Sequence, residues 1–540
     1  MKLDKKLKKN IFVSILFFLT LILNIYIAMN HHGISDEHFY VAEAYRFAHG
    51  GKFIIDDWHI AQLMGFITSP LVWLYEMVFK TSEGLVLFFR LCYILTHCIT
   101  SYFIIRKFRD SSKYVELIAL IYFLFVPFNI ISLSYNTMSI DFMMLSVCLF
   151  NKNQNFQCLV SGIIFSLAVL CSPYLSLLYG GVIGYSIYLL YKKRDKEILY
   201  SIFYSFVGIL FVFILFIIRV IPKDIDLFLH NLSYVLNDPS HSGNVIDGIL
   251  RVCYQAYTFL GIIGILFGLV CICNFFIKSK KLLSVCVLFG GLSLLYYVLI
   301  SRQAINLGGY CIINLVLTLL GVSVISIENR KDLKVFFVIF LIHALFIALT
   351  SNVGVRSFAN VLINTSVISL ICLVNVLNNK QLNTLIIFIL IGLYSYFRFN
   401  YYYIESNDYS VSIDSGVLKG LKSDKEFLDS YNITLRDIKE IDILHGDKVY
   451  IISDESWPMF SFNGKKVINY SYYQYLYSYD DCKKFMNDYL LLNNYDDFYV
   501  YECNNRFNLS VSDLDDDFKV SEVKNLSNGK LYWVELTDGN

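Results

Sequence analysis

The chain has 540 residues, of which 56% are hydrophobic and 17% aromatic, and its mean hydropathy is +0.55. This composition excludes an ordinary soluble protein and indicates a polytopic membrane protein. The formal net charge of +1 gives no reason to expect nucleic acid or an acidic ligand as a partner.

The first apolar segment, 11–29, follows a Lys-rich N-terminus. It is longer than the apolar core of a typical secretory leader, and no small-residue cleavage motif precedes His31. We therefore expect it to stay in the protein as an uncleaved first membrane helix.

Apolar stretches continue to about residue 397, and a membrane-spanning helix needs roughly 17–25 residues. Near Pro173 we expect a tight hairpin rather than one kinked helix, because a hairpin puts two Lys-bearing segments on one side of the membrane. The thirteen predicted spans are 10–29, 83–105, 115–133, 138–150, 157–172, 174–191, 198–221, 257–277, 283–301, 307–327, 333–351, 359–378 and 382–397.

The distribution of Lys and Arg predicts the orientation. With the N-terminus in the cytoplasm, the basic loops at 106–109, 192–196 and 278–281 lie inside. The two longest loops, 30–82 and 222–256, carry few basic residues and lie outside. We expect a multi-pass protein of the cell membrane that interacts with the lipid bilayer along its spans.

After residue 398 the composition shifts to Asp, Asn, Lys and Tyr. The predicted fold class is thus a polytopic α-helical membrane domain, 1–398, followed by a small extracytoplasmic α/β domain, 399–540. Cys482 and Cys503 form a disulfide or remain two thiols, and both alternatives are open. The elements predicted in this domain are strands at 448–453, 466–470 and 498–502 and helices at 424–442 and 480–492.

Two adjacent carboxylates, Asp36 and Glu37, open the first long loop. Charge at the mouth of a membrane helix is costly unless it is paired, hydrated or functional. The segment 39–48 has apolar residues at helical spacing, which predicts an interfacial helix. We expect Asp36 and Glu37 to be catalytic, with a carboxylate as the general base for a hydroxyl group; the alternative is a solvated start of the loop.

Asp141 is the second acidic candidate, at the outer turn between the third and fourth predicted helices, where it enters the apolar run 138–150. A catalytic role and an Asp favoured by the helix dipole are equally open. A divalent metal ion held between Asp36 and Asp141 is a further open alternative, and no other cofactor is expected.

Several residues on the same predicted side could bind a substrate or its phosphate. Arginine suits bidentate binding of phosphate, although interfacial arginines also reach towards lipid headgroups. The candidates are Asp57, His59, Gln62, Arg90, Arg251, Arg302 and Arg356.

The sequence has no P-loop, no Gly-rich dinucleotide motif, no H-E-x-x-H and no pair of C-x-x-C motifs. The predicted outer domain has a single histidine, His445, which argues against an alkaline-phosphatase-like transferase. A nucleotide-sugar enzyme would need a cytoplasmic catalytic domain, which the predicted topology does not provide. A sugar donor used outside must therefore arrive on a lipid.

The chain resembles the membrane-embedded glycosyltransferases of the C superfamily, which use polyprenyl-phosphate sugars. It is most similar to the protein O-mannosyltransferase and aminoarabinose-transferase branch, in architecture over 1–400 and in motifs over 30–95. The residues that carry the resemblance are Asp36-Glu37, Tyr40, Ala42, Ala44, Gly50-Gly51, Asp57-Trp58, Ser69-Pro70-Leu71 and Arg90-Leu91.

The resemblance implies transfer of a sugar from a polyprenyl-phosphate donor to a glycan, lipid or protein acceptor. Asp36 would act as the base, and Asp141 resembles the second acidic residue of these enzymes. One departure is that Thr68-Ser69-Pro70 stands where the branch often has Lys-Pro-Pro. The role of that lysine would then pass to an arginine or to His59.

Two other functions compete with this one. An O-antigen-ligase- or polymerase-like enzyme would concentrate basic residues in one late outer loop, whereas 222–256 has only Lys223 and Arg251. A polysaccharide or lipid transporter would have charged or broken helices at mid-bilayer and repeated halves. The sequence shows few charges inside the predicted spans, Arg90 being the exception.

Overall fold

The computed structural model describes thirteen stretches of the chain, and these are predominantly helical. They are residues 2–32, 35–151, 154–191, 196–220, 225–237, 245–300, 309–350, 355–406, 409–444, 448–462, 467–469, 478–503 and 509–537.

Seventeen helices precede the C-terminal region in the described stretches. They are α1 (Lys2–Met29), α2 (Ser35–Ala48), α3 (Gly65–Phe79), α4 (Leu85–Phe108), α5 (Val115–Leu124), α6 (Tyr135–Leu149), α7 (Asn155–Cys171), α8 (Leu175–Tyr191), α9 (Lys196–Val220), α10 (Ile225–Leu236), α11 (Val245–Ile277), α12 (Lys280–Ile300), α13 (Gly309–Ile325), α14 (Lys331–Thr350), α15 (Val355–Val361), α16 (Ile363–Leu377) and α17 (Lys380–Ser406).

Within the described residues, six of these helices are long and apolar enough to cross a membrane: α1, α4, α9, α12, α14 and α17. The number becomes seven if α15 and α16, which meet at 51°, form one span. These helices support a multi-pass membrane protein. Each of the thirteen predicted spans overlaps a helix, but several are short; the 15 residues of α6 extend only about 22 Å. The count of thirteen stays a prediction.

The two long connections are themselves partly helical. The predicted interfacial helix at 39–48 is present as α2, which begins earlier, at Ser35. The same connection also contains α3, which the sequence analysis missed, with Pro70 inside it. The second connection contains α10, and the chain also breaks its helix at Ser172–Tyr174, between α7 and α8.

Helices α7 and α9 touch through their backbones at two glycines. A Cβ at Gly162 would lie 1.9 Å from the carbonyl oxygen of Ser205, and one at Gly208 would lie 2.2 Å from that of Leu159. Small residues permit this close approach between membrane helices, where van der Waals packing is a main source of association.

We expect Gly162→Ala to lower the free energy of unfolding by about 2–3 kcal/mol, because the added methyl group forces the two helices apart. Gly180→Ala in α8 is the matched control, since a Cβ there meets no atom within 4 Å. Alanine favours a helix over glycine by about 1 kcal/mol, so the control should be neutral or stabilising. Thermal unfolding of the purified variants in detergent measures both, and equal losses would contradict the close packing of α7 against α9.

The C-terminal region, from residue 409 onwards, is α/β. It contains β1 (Val411–Ser412), β2 (Lys422–Ser423), α18 (Lys425–Leu444), β3 (Val449–Ile452), α19 (Tyr479–Leu492), β4 (Asp497–Cys503), β5 (Phe518–Asn525) and β6 (Gly529–Leu536). The four-stranded sheet has the order β3-β4-β6-β5, with β3 and β4 parallel and the other pairs antiparallel.

The predicted helices 424–442 and 480–492 and strands 448–453 and 498–502 are confirmed as α18, α19, β3 and β4. Of the predicted strand 466–470, the described part is 467–469, where Val467 forms a single bridge to Val449. The predicted boundary after residue 398 falls inside α17. Cys482 and Cys503 are both buried thiols rather than a disulfide, and burial raises the pKa of each to about 12.

The C-terminal region packs against α2 and the beginning of α4. Tyr45 donates a hydrogen bond to the carbonyl oxygen of Phe462 at 3.0 Å. Arg46 donates to the carbonyl oxygen of Ile468 at 3.1 Å and to the hydroxyl of Tyr489 at 2.9 Å. At the start of α4, the backbone nitrogen of Gly84 donates to the carbonyl oxygen of Gly416 at 3.0 Å. These contacts place α2 between the helical bundle and the C-terminal region.

Candidate functional site

Helix α2 presents its acidic residues on two neighbouring faces. Asp36, Tyr40 and Glu43 are separated by four and three residues, so they share one face of the helix. Glu37 belongs to the adjoining face. Asp36 and Glu37 both lie in the first turn, where the helix dipole favours negative charge.

Glu37 and Arg90 form a buried ion pair. Arg90 donates from Nε to one carboxylate oxygen of Glu37 at 2.7 Å and from Nη2 to the other at 2.6 Å. Its Nη1 donates to the carbonyl oxygens of Ala28 and His31, where α1 ends. Both side chains are 3% exposed, so each neutralises the other inside the protein. This geometry gives the two residues a positioning role: they fix α2 to α1 and α4.

Asp36 is the more accessible carboxylate of the pair, because it is half-buried whereas Glu37 is fully buried. Its charge acts on Tyr135, the first residue of α6, whose hydroxyl is hydrogen-bonded to Tyr40. The rings of Tyr40 and Tyr135 meet edge to face, with centroids 5.7 Å apart. Asp36 therefore lies where α2 meets the beginning of α6.

The structure brings Asp57, His59 and Gln62 together in the loop that follows α2. The Gln62 amide donates to the carbonyl oxygens of Asp57 and His59 at 2.8 and 2.9 Å. Its oxygen accepts from the backbone nitrogen of Ile54 at 2.6 Å, where the backbone is left-handed (φ 70°). Asp57 accepts from the backbone nitrogen of His59 at 2.9 Å. The Gln62 side chain therefore shapes the loop, because its three hydrogen bonds all go to backbone atoms of that loop.

An aromatic cluster joins this loop to α10 and to the C-terminal region. Trp58 stacks on Tyr234 of α10, with ring centroids 4.4 Å apart. It also meets Phe485 and Tyr489 of α19 edge to face, at 5.7 and 5.3 Å. Two separate parts of the chain, α10 and α19, thus close over the Asp57–His59 turn.

Glu43 is the functional candidate that the sequence analysis missed. Its side chain is fully buried, and neither carboxylate oxygen has a hydrogen-bond partner among the described residues. Nδ1 of His59 lies 3.8 Å from Oε2 of Glu43. Burial raises the pKa of Glu43 well above its usual range, and the charge of Asp57 raises it further. The available clue was a glutamate interrupting the apolar spacing of Tyr40, Ala44 and Phe47.

We expect Glu43→Gln to change the pH dependence of stability. A carboxyl whose pKa is raised on folding holds its proton in the folded state, so wild-type stability falls as pH rises from the unfolded pKa, near 4.5, towards the folded value. The fall is at most about 1.4 kcal/mol per pH unit. Glutamine cannot ionise, so the variant should gain on the wild type as pH increases from 5 to 8. Unfolding temperatures of the two proteins that change equally between pH 5 and pH 8 would contradict the raised pKa of Glu43.

Asp141 lies elsewhere than the sequence suggested. The predicted turn at this position is the first two turns of α6, and Asp141 is a buried interior residue of that helix, 1% exposed. Its Oδ1 accepts from the hydroxyl of Tyr122 at 2.7 Å and lies 2.8 Å from Nδ1 of His97. The helix begins at Tyr135 because Ser134 and Thr137 form a capping box there.

The two residues of the proposed metal pair, Asp36 and Asp141, lie at two different levels along α6. Asp36 is near Tyr135, and Asp141 is six residues further along α6, about 9 Å along its axis. Among the described residues no group of three or more His, Cys, Asp or Glu side chains could hold a metal ion. Metal dependence stays a prediction.

The predicted phosphate-binding arginines are dispersed. Arg251 is in α11 and Arg356 is in α15, and these helices are joined by a hydrogen bond from the backbone nitrogen of Val355 to Gln255 at 2.8 Å. Arg302 lies outside the described residues. Arg90, as described above, is engaged by Glu37.

The site therefore consists of the half-buried Asp36 and the buried side chains of Glu43, Asp57 and His59. The Glu37–Arg90 pair fixes the helix that carries Asp36 and Glu43. No protein-family model matches the chain, and no curated protein matches it.

Proposed function

We propose that the chain is a membrane-embedded glycosyltransferase. It moves a sugar from a polyprenyl-phosphate donor to an acceptor at the outer face of the cell membrane. The observation that carries the proposal is the accessibility of Asp36: α2 is held by the Arg90–Glu37 pair, so that Asp36 lies half-buried next to Tyr135. A carboxylate in such a position suits a general base in a site that excludes most of the solvent.

In the proposed reaction Asp36 accepts the proton of an acceptor hydroxyl group. The acceptor oxygen forms a bond to the anomeric carbon of the sugar while the bond from that carbon to the phosphate oxygen breaks. The polyprenyl phosphate leaves with the electron pair of that bond. A fixed cation near the leaving phosphate would stabilise it, and Arg251, Arg302 and Arg356 are the candidates. Glu37 and Arg90 position α2, and the acceptor is a glycan, a lipid or a protein.

The proposal includes the orientation with the N-terminus in the cytoplasm. The C-terminal region packs against α2, so both belong to the same side of the membrane. The Lys and Arg distribution assigns that side to the exterior, where nucleotide sugars are absent and a lipid carries the donor.

A transporter of polysaccharide or lipid is the second candidate, and one observation favours it. The His97–Asp141 pair is buried between α4 and α6, and ionisable residues within membrane helices often belong to substrate or proton pathways. Asp141, inside α6, is thus an ionisable group besides Arg90 within the predicted spans.

A transfer assay separates the two functions. The full-length protein is reconstituted into vesicles with undecaprenyl phosphate carrying glucose, mannose or aminoarabinose, each labelled in the sugar, and with glycan, lipid and protein fractions as acceptors. The glycosyltransferase consumes at least one donor and releases undecaprenyl phosphate. Translocation of a labelled lipid across the bilayer, without release of undecaprenyl phosphate from any donor, would instead support the transporter.

A further inference from the structure

A second buried polar cluster lies one helical turn deeper than Tyr135. Ser172, in the break between α7 and α8, donates to Oγ of Ser139 at 3.0 Å. Oγ of Ser139 lies 3.0 Å from Nε2 of His343 in α14. The three side chains are between 0% and 1% exposed. Three separate parts of the bundle thus contribute one hydrogen-bonded chain.

The protons of this chain can be followed from donor to acceptor. Ser139 accepts a hydrogen bond from the hydroxyl of Ser172, so its own hydroxyl can donate to Nε2 of His343. A neutral imidazole that accepts at Nε2 carries its hydrogen at Nδ1. This Nδ1 has no hydrogen-bond partner among the described residues, although His343 is fully buried. A buried N–H donor without a partner destabilises the folded state unless a ligand or a water molecule accepts its hydrogen bond.

The cluster is continuous with the Asp36 site. Tyr135 and Ser139 are four residues apart and share a face of α6. On the other side, Nδ1 of His59 lies 3.8 Å from Oε2 of Glu43, and the ring of His59 meets that of Tyr135 with centroids 6.1 Å apart. Two fully buried groups without a described hydrogen bond, the Glu43 carboxyl and Nδ1 of His343, therefore belong to the surroundings of this stretch of α6.

The chemistry of these groups selects the kind of ligand. The cluster offers two hydroxyls, an imidazole N–H and a carboxyl, and none of the four residues is a cation that would attract a phosphate. Irregular backbone within a membrane bundle is tolerated where it is buried or lines a polar cavity. Hydroxyls and neutral donors in a buried position suit the hydroxyl groups of a sugar ring.

We propose that Ser139, Ser172, His343 and Glu43 form the subsite that binds the sugar ring of the donor. The subsite rests on the proposed function, because it assumes a lipid-linked sugar. The lipid phosphate would bind outside it, nearer to the cationic residues. These four residues are thus specificity-determining groups, distinct from the catalytic Asp36.

The test compares a lipid-linked sugar with the same lipid phosphate lacking the sugar. Binding of the accepted donor and of undecaprenyl phosphate is measured by the thermal shift of the full-length protein in detergent. Ser139→Ala and His343→Phe should each raise the apparent Kd for the donor about tenfold and leave that for undecaprenyl phosphate within about twofold. His343→Gln, which keeps a side-chain N–H, should recover part of the loss.

Ser293→Ala is the matched control, because Ser293 is fully buried but donates only to Phe289 in its own helix. It should leave both affinities unchanged. Unaltered donor affinity in both Ser139→Ala and His343→Phe would overturn the subsite, as would equal losses for the two ligands. If the wild type still transfers sugar in that case, the proposed function stands; if it uses no donor, the proposed function itself fails.

Discussion

Replacing Arg90 by methionine is expected to lower the free energy of unfolding by about 3–5 kcal/mol. The substitution leaves the Glu37 carboxylate buried without its counter-charge, since both of its oxygens bind Arg90 at 2.6 and 2.7 Å. It also removes the donor for the carbonyl oxygens of Ala28 and His31. Unfolding in a graded series of denaturing detergent measures the loss.

The double variant Glu37→Gln with Arg90→Met is the control for this prediction. Removing both charges avoids the cost of a lone buried carboxylate, so the double variant should be more stable than Arg90→Met alone. A double variant that is as unstable as the single one would show that the pair is not the reason for the loss. Wild-type stability in Arg90→Met would contradict the positioning role altogether.

The pairing of Glu37 with Arg90 illustrates what the sequence could not supply. Both residues were recognisable as costly charges near membrane helices, and both were chosen as functional candidates. They are 53 positions apart in the chain, however, so their contact depends on how α2 and α4 pack. The structure makes them partners, and Asp36 remains as the accessible carboxylate.

Helices were easier to predict than their ends. The apolar runs locate every predicted span on a helix, because burial and membrane insertion both select long apolar segments. Asp141 was misplaced because an acidic residue at the edge of an apolar run suggests a helix end. The cap formed by Ser134 and Thr137 places the beginning of α6 at Tyr135, six residues before Asp141.

The hairpin of β5 and β6 was missed for a different reason. Strand β5 has side chains that are exposed along almost its whole length, so it lacks the apolar alternation that identifies a half-buried strand. It is held by backbone pairing with β6, from Phe518–Leu536 to Asn525–Lys530. Glu43 and His343 were missed because the burial of a polar atom without a hydrogen-bond partner is a property of the packed structure alone.

The sharpest test of the proposed function is the transfer rate of Asp36→Asn. Asparagine nearly matches aspartate in shape but cannot accept the acceptor's proton, and a general base contributes about 10²–10⁴-fold to the rate. We expect transfer from the accepted polyprenyl-phosphate donor to fall by at least about 10²-fold, with an unchanged unfolding temperature and an unchanged affinity for the donor. Transfer at the wild-type rate by Asp36→Asn would contradict the account.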